Sequence, residues 1–97
     1  NTILNNIITW CCDPKSNMTL DKMIENRQNM YCIMRYNITG TYIFKYFMEY
    51  IVKNDTDLER VHQVLQLIAD LEHKLITGNK DIFYLEAFII KTYQIYH

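Results

Sequence analysis

The chain has 97 residues, 49% of them apolar and 22% charged, with a formal net charge of −1. That composition describes one globular domain. It excludes a disordered chain, a basic stripe for gripping a nucleic-acid backbone, and any apolar run near the ~18 residues needed to cross a bilayer.

Helices are expected throughout, punctuated by Pro14, Gly40 and Gly78. The first covers roughly residues 2–12, with Ile3, Ile7, Trp10 and Cys11 on one face. A loop over 13–18 follows, and Thr19 is the expected N-cap of a second helix over 19–36. The apolar stripe of that helix is Leu20, Met23, Ile24, Met30, Tyr31 and Met34. A third helix runs from about Thr41 to Lys53. Ile43, Phe44, Phe47, Tyr50 and Ile51 cover more than half of its circumference, which suits the central helix of a bundle. Its Lys45, Glu49 and Lys53 are spaced for surface ion pairing. "TDLE", Thr56 to Glu59, reads as a capping box opening a fourth helix. Leu58, Val61, Val64, Leu65, Ile68, Leu71 and Leu75 form its stripe, and Gly78 is its expected left-handed stop. A fifth helix runs from Asp81, its expected cap, to the end. Short connections favour antiparallel neighbours. The fold class is therefore all-α, a small up-and-down bundle of four to five helices.

The stretch "TWCCDPKSNMT" (residues 9–19) raises the question of thiol chemistry. Adjacent cysteines on a helix diverge by about 100°, and a bond between them needs strained geometry. Spaced metal ligands such as Cys-x-x-Cys are absent. Cys11 reads as a small buried hydrophobe, with a Cys32 bond to Cys11 or Cys12 as the alternative. His62 and His73 lie on similar sides of one helix but roughly 16 Å apart, too far to share a metal. No phosphate loop or nucleophile motif occurs. We therefore expect no enzyme, no catalytic residue, no metal and no cofactor.

Asn17, Asn37 and Asn54 each begin an Asn-x-Thr acceptor triplet at an expected inter-helix loop. Helix caps explain Thr19 and Thr56 without any sugar. Arg27 projects into the stripe of the second helix and Glu72 into that of the fourth. Each either snorkels to water, or the two meet as a buried ion pair.

The last helix carries apolar residues nearly all round. Ile82, Leu85, Ile89, Tyr93 and Tyr96 make the core face, widened by Phe88 and Ile95. Phe83, Ala87 and Ile90 lie on another line, with Gln94 at its rim. A small bundle can hardly surround a helix, so that second line is the candidate partner-binding surface.

Ile, Asn, Tyr, Lys, Met and Phe dominate while Gly, Ala, Arg and Pro are scarce, which points to an AT-rich genome such as that of a virus or parasite. Both ends look cut, so the chain reads as a single domain of a longer protein. The leading expectation is a non-enzymatic module that binds a protein partner or itself, inside the cell, without nucleic-acid contact or membrane insertion. The alternative is a secreted, cytokine-like helical ligand glycosylated at the three asparagines.

Overall fold

The computed structural model describes residues 1–78 and 80–97. It is a small all-α bundle of five helices: α1 Thr2–Cys12, α2 Leu20–Arg35, α3 Gly40–Asn54, α4 Leu58–Thr77 and α5 Asp81–Tyr96. Side-chain caps fix four of the five starts. Asn1 accepts from the amides of Ile3 and Leu4, Thr19 from Lys22, Thr39 from Tyr42, and Asp57 from Arg60. Each supplies an acceptor to a first-turn N–H that has no partner within the helix.

Two expected caps are corrected here. Thr56 does not open α4; Asp57 does, one residue later, so the Thr56–Glu59 box does not form. Asp81 is not the cap of α5 but its first residue, following Lys80, which makes no side-chain cap bond. Gly78 also differs from expectation. Its φ is −93°, outside the left-handed region. Glycine is needed there for space, because a Cβ would overlap the Tyr84 hydroxyl and lie 2.8 Å from the Lys74 carbonyl oxygen. At Gly40 a Cβ would stand 2.9 Å from both terminal methyls of Leu75, a flexible side chain with room to shift.

The central helix is α5, not α3. It packs along α4, α1 and α2, and Phe88 reaches α3. The Phe88 ring stacks on Phe47 with centroids 4.9 Å apart and meets Phe44 edge-on at 5.6 Å. Leu4, Ile8, Ile43, Ile51, Val64 and Leu85 complete the buried core around these rings. In α1 the buried face is Leu4, Ile7, Ile8 and Cys11, rotated from the expected line so that Ile3 and Trp10 sit at its edge. The α4 stripe is buried at Val64, Ile68 and Leu71, but Leu58 is exposed. Lys45, Glu49 and Lys53 form no ion pair among the described residues.

The turn between α3 and α4 is tied to the end of α5. Asp55, with a side chain only 7% exposed, accepts from Arg60 Nε at 2.7 Å and Arg60 Nη2 at 2.8 Å. It also accepts from the Tyr96 hydroxyl and the Asp57 amide. The Arg60 guanidinium lies 4.7 Å from the centre of the Tyr96 ring. Hydrogen bonds from Arg60 hold the Asp55 carboxyl well below the usual carboxylate range, against the opposing effect of burial. Burial, then the bond to Asp55, pushes the Tyr96 phenol well above its ordinary value. Burial also raises the Cys12 thiol beside it to about 11.

Two measurements check this description. In denaturant titrations, Asp57→Ala should lose about 1 kcal/mol while Thr56→Ala stays within about 0.5 kcal/mol of the parent. Asp55→Asn should lose roughly 1–3 kcal/mol at neutral pH. The folded Asp55 carboxyl titrates below its unfolded value of about 3.9, so its contribution is present above that pH and lost below it. The difference between parent and variant should therefore shrink as pH falls through about 4.

Candidate protein-interaction surface

The loop in "TWCCDPKSNMT" is held by a set of polar ties. Within it, the Lys15 amide donates to the Asp13 carboxylate at 2.9 Å, and the Ser16 hydroxyl to the Trp10 carbonyl at 2.7 Å. Tyr93 of α5 donates its hydroxyl proton to the Ser16 carbonyl at 3.2 Å and accepts from the Met18 amide at 3.1 Å. Its ring stacks on Trp10 at 5.1 Å. Cys11, Cys12 and Cys32 are free thiols. Cys11 is buried, donates to the Ile89 carbonyl at 3.8 Å, and has its pKa raised chiefly by burial. A thiol shifted in that direction is a poor nucleophile. Among the described residues no three His, Cys, Asp or Glu side chains are grouped to hold a metal ion. His62 and His73 are both exposed on α4.

The loop aims α2 onto α5 and α1, and α2 makes no substantial contact with α3 or α4. Its buried residues are Asn26, Met30 and Ile33. This corrects the expected core stripe. Leu20 is 73% exposed, Ile24 47% and Tyr31 46%, and Met23 is exposed too. Leu20, Ile24, Arg27 and Tyr31 recur at four, three and four residues, so they form one line along the helix. The apolar face predicted from periodicity exists, but only its edge meets the bundle, at Met30 and Met34.

The expected Arg27–Glu72 ion pair does not form. Arg27 instead pairs with Glu86 of α5 in a two-pronged bond, Nε to Oε1 at 2.8 Å and Nη2 to Oε2 at 2.9 Å. The Glu86 bond raises the Arg27 pKa. The pair lies at the surface, with Arg27 more than half exposed. Glu72 is half-buried and joins no ion pair among the described residues. The fork bridges α2 and α5 at the surface with two parallel N–H···O bonds.

On α5, Phe83 is 61% exposed. Ala87 and Ile90 are half-buried, and Gln94 is exposed. Phe83 also lies under Lys80, whose ammonium is 5.5 Å from the ring centre. Ile90 shares a groove with α2: Met18, Met23, Asn26, Glu86, Ile89 and Ile90 line it. Met23 and Asn26 of α2 therefore face Glu86, Ile89 and Ile90 of α5 across this groove. Asn26 at its floor is only 3% exposed, and neither its Nδ2 nor its Oδ1 bonds to protein. An unpaired buried amide costs about 1–3 kcal/mol. Sequence reasoning missed it, although Asn26, Met30 and Ile33 fall on one helical line. Thr92, also buried with an unpaired hydroxyl, was missed as well.

Asn17, Asn37 and Asn54 are all exposed. The threonines that complete the first two triplets, Thr19 and Thr39, cap α2 and α3. Asn37 adopts φ 61° in the turn between those helices, a conformation asparagine tolerates better than most residues. Local structure thus has its own use for two of the three triplets.

The family described as "Replication factor C subunit 3, C-terminal domain" matches residues 4–97. Replication factor C subunit 5 of Oryza sativa subsp. japonica is 42% identical over 52 residues, which are 54% of this chain and 14% of that protein. The chain thus spans a small part of the length of that curated relative. No solved structure matches. Because the family match runs through nearly the whole chain, from α1 to the end of α5, the chain belongs to the replication factor C subunit 3 C-terminal domain family.

Proposed function

We propose that this domain is the part of a clamp-loader subunit that joins it to neighbouring subunits, and that the joined surface is the outer face of α2 with the adjoining line of α5. The observation that carries the reading is the exposed row Leu20, Ile24 and Tyr31 on α2, together with the exposed Phe83 on α5. Large apolar side chains in register along a helix are a liability in a free monomer and an asset at an interface. The family and the rice relative are both named for subunits, which supports a multisubunit setting. Arg27 within the row is the residue type favoured at such contacts.

The domain acts, in this reading, through binding rather than catalysis. Its cations are interspersed with acids, so DNA contact by the assembled complex falls to other parts of it. Membership in a family of replication proteins favours an intracellular location, and the secreted, glycosylated alternative loses its ground. The curated relative is a plant protein, so the inferred viral or parasite origin gains no support from it.

The test uses the full-length subunit reconstituted with its partner subunits. Leu20→Asp combined with Ile24→Asp should abolish co-elution on gel filtration. Because both side chains are exposed, the melting temperature should stay within about 3 °C of the parent. Phe83→Ser should weaken assembly in the same direction. Unchanged assembly in all these variants would overturn the assignment of this face.

A further inference from the structure

The Asn26 carboxamide specifies more than an apolar partner. We infer that the α2–α5 groove receives an extended, uncharged segment of the partner chain, whose main-chain amide pairs with Asn26 and whose aliphatic side chain seats between Met23 and Ile90. The inference rests on the assembly reading above and names the chemistry of what binds there.

The groove has walls of Met18, Met23, Ile89 and Ile90 and a floor of Asn26. Apolar walls select an aliphatic group. Beneath them Asn26 holds donors on Nδ2 and an acceptor on Oδ1, closed to solvent while the methionines stay in place and not bonded within the protein. The complement to a donor and an acceptor side by side is another amide. A partner helix uses its main-chain amides internally except at its two ends, so its sides offer none. An extended segment keeps one N–H and one C=O per residue available, and main-chain bonds with alternate side chains in pockets are how such segments are commonly held.

Charge at the groove points the same way. Glu86 is the acidic residue lining it, and both of its carboxylate oxygens are already bonded to Arg27. The mouth is thus neutralised by an internal pair and favours a segment without charge. The space now open is about 20 Å³, room for one water-sized group. Entry of a peptide therefore requires Met18 and Met23 to swing outward. Methionine side chains are suited to such movement, being unbranched and able to adapt to irregular shapes. Met23 is already exposed, and the Met18 main chain is held by Tyr93, so its side chain can move without shifting the loop.

The probe is a capped pentapeptide of alternating leucine and alanine, titrated at millimolar concentration into the isotope-labelled chain and followed by NMR. Its control is the same peptide with N-methylated backbone amides, which cannot donate. Saturable shifts of the Asn26 side-chain resonances are expected, with the N-methylated peptide binding about tenfold more weakly. Asn26→Leu should bind the plain peptide about tenfold more weakly and erase the difference between the two peptides. The comparison of peptides on the unchanged protein needs no variant, so it decides the question even if Asn26→Leu does not fold. Equal affinity of the two peptides overturns the inference. So does the absence of saturable shifts, or an Asn26 amide that contacts one long-lived water before and after titration. If the Leu20 and Ile24 changes break assembly while the two peptides bind alike, the interface stands and the extended segment falls.

Discussion

Phe88, packed on Phe47 and edged by Phe44, makes α5 the post against which every other helix leans. Burying one helix on all sides takes more surface than four short neighbours possess, because small domains enclose a limited share of their chain. Here α4, α1 and α3 supply the tight side, and α2 closes what remains. Since α2 touches little but α5 and α1, it can bury only one edge of an apolar face that is wider than that edge. The open row from Leu20 to Tyr31 and the exposed Phe83 both follow from this shortage of covering surface.

Hydrophobic burial has no direction, so it cannot alone decide how the helices are rotated or where each begins. Polar ties take that role at both ends of the core. Tyr93 clasps the Ser16 carbonyl and Met18 amide, setting the entry of α2. Tyr96 and Arg60 converge on Asp55, setting the corner between α3 and α4. Both phenols belong to the last turns of α5, with their rings against apolar or aromatic neighbours and their hydroxyls on polar groups, the division of labour tyrosine suits best. The Arg27–Glu86 fork adds a third tie along the outer side.

Much of the fold is legible in the residues. Five helices, the burial of Cys11 as a small hydrophobe, and the core positions of α3 and α4 follow from spacing and from punctuation by Pro14, Gly40 and Gly78. What spacing does not encode is which neighbour covers a stripe. Leu20, Ile24 and Tyr31 form a real helical face, yet periodicity is the same whether the face meets a core or a second protein. Arg27 has the charged partner that its position calls for, but Glu86 can be chosen over Glu72 only once α2 lies on α5. Thr56 and Asp57 are both competent caps, and it is Asp57, whose amide donates to Asp55, that the fold uses. Gly78 stands out in the sequence for its backbone freedom, whereas its requirement is the proximity of the Tyr84 ring, a contact with a helix that spacing does not place. Phe83 lies off the core line in sequence and structure alike, because its own helix settles that.

The helix that stands at the centre of this bundle is also the last of its five in sequence. A ribosome making about 5–20 residues per second takes roughly one to three seconds to add a segment the length of α5. Through that interval the inner faces of α1, α3 and α4 have no Phe88 or Leu85 to close upon. Their pairing with α5 joins residues as far apart as Cys11 and Ile89, the kind of distant closure that slows folding. The earlier helices thus meet the surface that covers them only after α5 has been made. Docking of α5 then buries Phe88 and Leu85 together with the inner faces of α1, α3 and α4.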